Sequence, residues 1–561
     1  MTSETLPRIL ANRAVSIGDR PVYHYMAPRA TEPDTLTYRQ LYHSSCALAA
    51  ALRRYGFQGR NALLMYPPGL DFIKTFFGCM QGNVTAIPMY VPPGNTPDTR
   101  LFAIAATVDI AVTLTIKTKE AQVRSLVSAM FPGKECLVLC TDEMPQGDEV
   151  AVDWGVDIEQ PPLIQFTSGS TSNPKGVVVT HTNLVNNQLM IERGFRRHAQ
   201  TRGGETMVSW LPFFHDMGLI CSIMHPVFIG GCTVLMSPND FLQNPHKWLQ
   251  LISAHSATIA GAPNFAYDYC VSRVKPEQIE GLDLNSWRVA YNGSEMIRPL
   301  TMKRFCDRFA EYGFHRRALF YCYGMAETTL YVSGSTGAVG DSDTADTVAS
   351  VGVPDEESEV IIVADDKTVL ADGETGEIWV RGPHVARGYI NNPKATQETF
   401  EAKPGNDKAA PSYLRTGDLG YMRQGNLYMV GRAKNLLVVN GKNYFGEEIE
   451  YFVARSNRHF VESGACILQT NEGFANAEIV FMQEIHKTSI EAVRANLEEL
   501  EAEALQLSLG IVNEFKLSVH RFIFLRAGRL PRTSSGKIDR ARARGLAKDT
   551  GPNCLLDVGV R

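Results

Sequence analysis

Thr167-Ser168-Gly169-Ser170-Thr171-Ser172-Asn173-Pro174-Lys175-Gly176 crowds hydroxyls, glycines and a lysine into one short stretch. The apolar run Leu163-Ile164-Gln165-Phe166 precedes it and the β-branched run Val177-Val178-Val179-Thr180 follows, so the pattern reads strand, loop, strand. Such a loop can wrap a polyphosphate. Glycine lets backbone N–H groups approach, hydroxyls donate to phosphate oxygens, and Lys175 adds positive charge. The order Gly-x4-Gly-Lys-Ser/Thr of a Walker loop is absent. Alone, the stretch can equally be an exposed Ser/Thr/Gly-rich connector.

Working outward, 561 residues exceed one ordinary core and predict at least two domains. Apolar content of 44% and charged content of 20% are those of a soluble globular chain. A net charge of −5 gives no basic footprint for nucleic acid. The start, Met1-Thr2-Ser3-Glu4-Thr5, is polar and carries no signal pattern, and no apolar run is long enough to span a bilayer, so a cytoplasmic location is expected. The eleven cysteines are scattered. Cys136 and Cys140 flank Leu137-Val138-Leu139, and alternation puts both on one buried face, which favours core packing over a metal site.

Apolar spacing at Leu41, Leu48, Leu52 and Tyr55 predicts an amphipathic helix from near Thr37 to Gly56, followed by a buried strand Ala62–Tyr66. Short apolar runs alternate with helical patterns to about residue 330, which predicts α/β architecture with largely parallel sheets. Residues 335–350 are small and acidic and read as a loop with little to dock on a domain. Glu359–Val363 and Gly376–Val380, with a turn at Ala371–Glu374, predict a β-rich subdomain. A small last domain follows, with a strand at Leu436–Val439 and a helix at Phe445–Val453. Beyond these come one amphipathic helix over 490–507 and a strand at Leu517–Leu525. Residues 548–561 show no periodicity and read as a loose tail. No internal repeat is present.

Three further motifs carry chemistry. In Tyr323-Gly324-Met325-Ala326-Glu327-Thr328, the tyrosine can stack on a purine and the glutamate can hold a hard cation beside phosphates, or it can be a surface carboxylate at a strand end. In Thr416-Gly417-Asp418-Leu419-Gly420, with Gly431-Arg432-Ala433-Lys434 after it, the aspartate can grip ribose hydroxyls or form an Asx turn. In Leu530-Pro531-Arg532-Thr533-Ser534-Ser535-Gly536-Lys537-Ile538-Asp539, a lysine sits in a Gly/Ser loop that can reach a neighbouring site or simply be solvated.

In this order and at these separations, the four motifs resemble the acyl-adenylate-forming superfamily over nearly the whole chain. The wording is most similar to the fatty acyl-AMP ligases, through Leu64–Phe72, Trp210–Leu219, Gly261–Tyr267, Trp287–Glu295 and Ala326. The resemblance implies a large N-terminal domain, 1–434, of two α/β subdomains and a β-rich subdomain. A small mobile α+β domain, 435–561, would follow. It implies ATP and Mg2+ as cofactors, and a fatty or related carboxylic acid activated to acyl-AMP with release of pyrophosphate. The acyl group would pass to the phosphopantetheine arm of an acyl carrier protein or to CoA. A non-catalytic nucleotide-binding member is the remaining alternative.

By the same resemblance, Thr167, Ser168, Gly169, Ser170, Thr171 and Lys175 would hold phosphates. Gly293, Ser294 and Glu295 would line the adenine, Tyr323 would stack on it, and Gly324, Met325 and Ala326 would shape the nucleotide site. Glu327 would ligate Mg2+, Asp418 and Arg432 would hold the ribose, and Lys537 would be the adenylation lysine. His215 would stand near the reacting carboxylate at the mouth of an acyl tunnel bordered by residues from about Phe213 to Tyr331, or be satisfied by Asp216. Asn435 falls at the family's pivot, where a charged residue is common, and Gly446 stands where proline is usual. Only Thr328 to Val351 separate the Glu327 motif from Gly352, about the length in acyl-CoA synthetases, so the acceptor stays open.

Overall fold

Thr37 sets the first long helix, Tyr38–Arg54. Its hydroxyl accepts from Gln40 N while Gln40 Oε1 accepts from Thr37 N, a reciprocal cap, and Gly56 at φ 76° supplies the left-handed stop. Leu41, Leu48 and Leu52 line its buried face. The computed structural model describes residues 4–92, 99–133, 136–144, 155–167, 174–201, 203–335, 348–405, 409–439, 442–470, 478–532 and 538–560. The predicted loop at 335–350 therefore falls mostly outside the described residues.

The described chain divides into two compact units. The larger takes the residues up to 416 together with 420–429, and the smaller takes 417–419 and everything from 430. The larger is the α/β part. One sheet has nine strands, in the order Val353–Pro354, Ser333–Gly334, Leu319–Tyr323, Val289–Asn292, Ile259–Ala262, Thr206–Ser209, Cys232–Met236, Pro21–Met26, Asp34–Thr37. Its six central strands are parallel, and Ile259–Ala262 and Val289–Asn292 are buried at every position, as strands covered on both faces must be. A second sheet runs Gly388–Tyr389, Gly176–Val179, Leu163–Phe166, Thr85–Met89, Asn61–Met65, Val112–Thr115, Leu137–Cys140. In it, Leu163–Phe166 and Gly176–Val179 pair antiparallel, with Phe166 opposite Gly176. The third sheet, Glu359–Val363, Gly376–Arg381, Leu414–Arg423 and Asn426–Arg432, is the β-rich part.

The smaller unit centres on the strands Phe460–Gln469, Ile479–Ile485, Arg521–Arg526 and Cys554–Gly559. Ile479–Ile485 is buried throughout because both faces of the sheet are covered. Ile467, Phe481, Phe522 and Phe524 meet Ile449, Val453 and Ile511 on one side. Leu468, Val480, Ile523 and Leu525 meet Ala543 and Ala547 of the helix Arg540–Lys548 on the other.

Three expectations are corrected here. The helix expected over 490–507 is broken at Asn496 (φ −142°, ψ 67°) into Ile490–Ala495 and Leu497–Phe515, and Asn496 Nδ2 donates to Glu499 Oε2 at 2.8 Å. Asparagine competes for local hydrogen bonds and favours helix ends, so the apolar period continues while the helix does not. Leu497 consequently turns outward, and the core face is Leu500, Ala504, Leu507 and Ile511. The strand expected from Leu517 starts at Arg521, because Leu517 and Val519 are buried in the approach to the ladder. The expected loose tail is ordered. Cys554–Gly559 pairs antiparallel with Arg521–Arg526, and Arg521 grips both carboxylate oxygens of Asp557. As a half-exposed edge strand it carries too weak an alternation to read.

Candidate active site

Thr206–Ser209, Ile259–Ala262, Val289–Asn292 and Leu319–Tyr323 lie side by side and parallel, so their C-terminal ends share one edge, where open α/β sheets bind ligands. Four predicted segments emerge there: Trp210–Asp216, Pro263-Asn264-Phe265, Gly293-Ser294-Glu295 and Gly324–Glu327. Ser294 adopts φ 71°, a left-handed conformation uncommon outside glycine and frequent where function fixes the chain. Glu295 Oε1 accepts from Phe265 N at 2.7 Å and ties two of these strand ends together. A Cβ at position 324 would lie 1.6 Å from the Leu330 carbonyl oxygen, so only glycine fits there. Tyr323 and Ala326 are buried beside it, and Met325 N donates to Thr328 Oγ1 at 3.2 Å.

A cavity opens at this edge. Asp216, Ser294, Tyr323 and Gly324 stand on its polar side. Ile191, Phe195, Met217, Phe320 and Leu330 make apolar walls, and Cys221, Cys322, Tyr291 and Tyr331 complete them. The phenyl ring of Phe195 stacks at 6.2 Å on Tyr291 and meets Phe320 edge-on at 5.3 Å. Burial pushes the Cys221 and Cys322 thiols up to about 12 and raises the Tyr291 and Tyr331 hydroxyls well above their ordinary value. The walls therefore carry no charge at neutral pH. Behind them His225, pushed down to about 3 by burial, bonds Gln188 Oε1 at 2.7 Å. Phe213 to Tyr331 was the expected range for an acyl tunnel, and Ile191 and Phe195, on the helix His181–Ala199, lie outside it.

His215 Nδ1 is 2.6 Å from Asp216 Oδ1, which also accepts from Met217 N at 2.7 Å at the head of the π-helix Met217–Met224. The Asp216 pairing thus exists, and Asp216 rather than His215 lines the cavity. Buried Gln165 donates to the Phe214 carbonyl at 2.7 Å, joining this turn to the strand that leads into the Thr167 segment.

Thr167 N donates to the Lys175 carbonyl at 3.1 Å, pairing the two residues that flank 168–174. Ser168, Gly169, Ser170 and Thr171 lie outside the described residues, as does Lys537. Lys175 Nζ stands 4.6 Å over the ring of Tyr389, whose hydroxyl donates to Glu327 Oε1 at 2.8 Å. Glu327 is buried, so one tyrosine joins the predicted phosphate lysine to the predicted metal glutamate. Sequence reading missed Tyr389. Its only signal was an aromatic after Arg387-Gly388, which becomes meaningful once Tyr389 pairs opposite Val177.

In the smaller unit, Arg432 Nε is 2.9 Å from Oδ1 of buried Asp418. The residues on either side of 533–537 are anchored to each other, through an antiparallel bridge of Arg532 with Ile538 and a bond from Asp539 N to the Pro531 carbonyl at 2.8 Å. Buried Glu484 accepts from Arg529 N and Leu530 N at 2.6 and 2.7 Å, and Arg540 bonds Glu450 at 2.6 and 2.9 Å.

Elsewhere, Glu120, Cys140 and Glu143 converge, but Lys117 and Arg124 already pair with those carboxylates. Burial pushes the Cys140 thiol up to about 11, while Cys136 is half-buried.

A family model described as AMP-binding enzyme matches residues 10–390. The chain belongs to the AMP-binding enzyme family. The medium-chain-fatty-acid–[acyl-carrier-protein] ligase JamA of Moorena producens is 32% identical, with 96% of this chain and 94% of JamA covered. FadD25 of Mycobacterium tuberculosis, named as a candidate fatty-acid–CoA ligase, is 34% identical over 91% of each chain. Among solved structures, a fatty acyl-adenylate ligase from L. pneumophila in complex with acyl adenylate and pyrophosphate aligns with a TM-score of 0.71 at 31% identity, covering 99% of this chain and 98% of that one. A chain from a structural study of fatty acyl-adenylate ligases from E. coli and L. pneumophila reaches 0.84 at 27%, covering 97% and 98%. The fold is theirs: two α/β subdomains, a β-rich subdomain and a small α+β unit. No helix among the described residues is long and apolar enough to cross a membrane.

Proposed function

We propose that this chain is a cytosolic ligase that uses ATP and Mg2+ to convert a medium- or long-chain aliphatic carboxylic acid to acyl-AMP, and then passes the acyl group to the phosphopantetheine thiol of an acyl carrier protein. One observation carries the reading: a cavity whose apolar, aromatic walls carry no charge opens at Ser294, Tyr323 and Gly324, on the strand ends where a nucleotide would lie. The name of JamA favours the carrier protein as acceptor.

The acid's carboxylate oxygen attacks the α-phosphorus of ATP, and the bond from that phosphorus to the bridging oxygen breaks to release pyrophosphate. Two anions meet only if their charge is cancelled. Lys175 and the Thr167–Thr171 segment hold the β- and γ-phosphates, while Lys537 bridges the carboxylate and the α-phosphate. Gly293 to Glu295 and Tyr323 to Ala326 take the adenine, and Asp418 with Arg432 the ribose. Glu327 suits Mg2+, which takes one or two carboxylates and fills its remaining positions with phosphate and water, and its Tyr389 bond orients it. When bound, the ion would neutralise the leaving pyrophosphate. His215, fixed by Asp216, faces the incoming carboxylate. The thiol then attacks the acyl carbonyl and AMP leaves. The domain division that serves these steps is 1–434 and 435–561, with Asn435 at the pivot.

Transfer to CoA is the second reading, favoured by the name of fadD25 and by the short stretch from Thr328 to Val351. Pyrophosphate release with dodecanoate tests adenylation, and its absence across saturated acids would sink both readings. Offering CoA and a phosphopantetheinylated carrier protein side by side separates them, since efficient acyl-CoA formation would make this a CoA ligase.

A further inference from the structure

Two stretches distant in sequence from Arg540 meet its guanidinium in the smaller unit. Arg540 Nη1 donates to Glu450 Oε1 at 2.6 Å and to the Ile467 carbonyl at 3.1 Å. Its Nη2 donates to Glu450 Oε2 at 2.9 Å and to Glu447 Oε1 at 3.3 Å. Glu447 Oε1 also accepts from Asn435 Nδ2 at 2.7 Å. All three ions are largely buried, with side-chain exposures of 12% for Arg540, 17% for Glu447 and 6% for Glu450. Glu447 Oε2 is buried without a partner, about 3.7 Å from where a Cβ on Gly431 would lie. One cation thus serves two carboxylates, and the second is completed by a neutral amide. An acid at 435 would put a third carboxylate within hydrogen-bonding distance of Glu447, which buried electrostatics penalises heavily. Asparagine, the departure at this position, is what the geometry demands.

Arg540 is the first residue of the helix Arg540–Lys548 and comes three residues after Lys537. The line Asn435–Glu447–Arg540 therefore runs from the first residue of the small domain to the helix start beside the lysine segment. We propose that Glu447 is a positioning residue for adenylation: held by the Asn435 amide, it fixes Arg540, which follows Lys537 by three residues in the sequence. This rests on the reading of Lys537 as the adenylation lysine.

The test measures pyrophosphate release with dodecanoate, and separately acyl transfer from preformed dodecanoyl-AMP to pantetheine, across a pH series. Asn435→Asp should lower adenylation about tenfold in mild alkali and leave transfer much less affected. The loss should shrink as pH falls, because a protonated carboxyl donates to Glu447 as the amide does. The new acid would meet Glu447 directly; the other ionisable groups coupled to this cluster are Glu448, Glu450, Cys466, Arg540 and Arg544, with Arg432 and Lys434 on the segment of residue 435. Combining Asn435→Asp with Glu447→Gln exchanges amide and acid, and should restore most of the lost rate, with a melting curve confirming folding. A pH-independent loss, equal loss of both half-reactions, or a double variant no better than the single one overturns the proposal. Lys537→Ala in the same assays separates the two readings: if it adenylates normally, the lysine assignment fails, whatever the Asn435 variants do.

Discussion

The cavity in the larger unit and the ground around residues 532–540 in the smaller one bury polar groups by opposite means. The apolar walls of the cavity are neutral, thiols and phenols being pushed up by burial and His225 behind them pushed down, and the Asp216 carboxylate stands on the polar side. Around 532–540 the buried groups are ions, with Glu450 and Glu447 on Arg540 and Glu484 beside Arg532. On the proposed function, an apolar acyl chain would be selected by shape in the neutral cavity, whereas the residues flanking 533–537 are held by directional charged hydrogen bonds.

Lys537→Ala tests the charged half most severely. Adenylation should fall by about 3–4 kcal/mol of transition-state stabilisation or more, while transfer from preformed acyl-AMP survives. Pyrophosphate release and single-turnover transfer read the two steps, and equal losses would make the lysine structural.

The neutral half is exposed by acid. Burial lowers His181 and His384 to about 4 and His225 to about 3, all in the larger unit. Their folded values lie below the unfolded value near 6.5, so the stability they contribute is complete above it and is lost as pH falls toward the folded values. Each should cost about 2 kcal/mol by about pH 5. Denaturant unfolding between about pH 8 and 5 should show this slope, and His225→Gln should flatten it by its own share of about 2 kcal/mol. An unchanged slope would mean that His225 is not held neutral by burial.

Shape selection is tested by Phe195→Ala, which removes the ring packed on Tyr291 and Phe320. Preference should shift about tenfold toward longer acids in kcat/KM, as one or two accommodated methylenes imply. A uniform loss at every length would deny Phe195 a part in length selection. A comparable effect belongs to Tyr389→Phe, which deletes the hydrogen bond to the Glu327 carboxylate and should cost about 1.5 kcal/mol, read as a raised Mg2+ requirement rather than a changed acid preference.

Most of the fold was legible because its signals are local. The apolar spacing from Leu41 to Leu52 with the stop at Gly56, and the apolar and β-branched runs around 163–180, mark their elements locally. The break at Asn496 was not, since apolar spacing persists through it and only a side chain choosing local bonds marks it. Tyr389 was illegible for another reason: its role exists only once Gly388–Tyr389 pairs with Gly176–Val179 and brings it to Glu327. Likewise Ile191 and Phe195 sit on a helix whose facing is set by the sheet beneath it.

The strand Cys554–Gly559 has a consequence for handling the protein. It seals the flank of Arg521–Arg526, whose Phe522-Ile523-Phe524-Leu525 core is a ready template for another chain's backbone. A variant shortened at Lys548 would keep every residue assigned to chemistry, yet leave that row of amides and carbonyls unsatisfied. Its failure should appear as self-association through paired edges, visible in light scattering, before any activity assay could report on the missing strand.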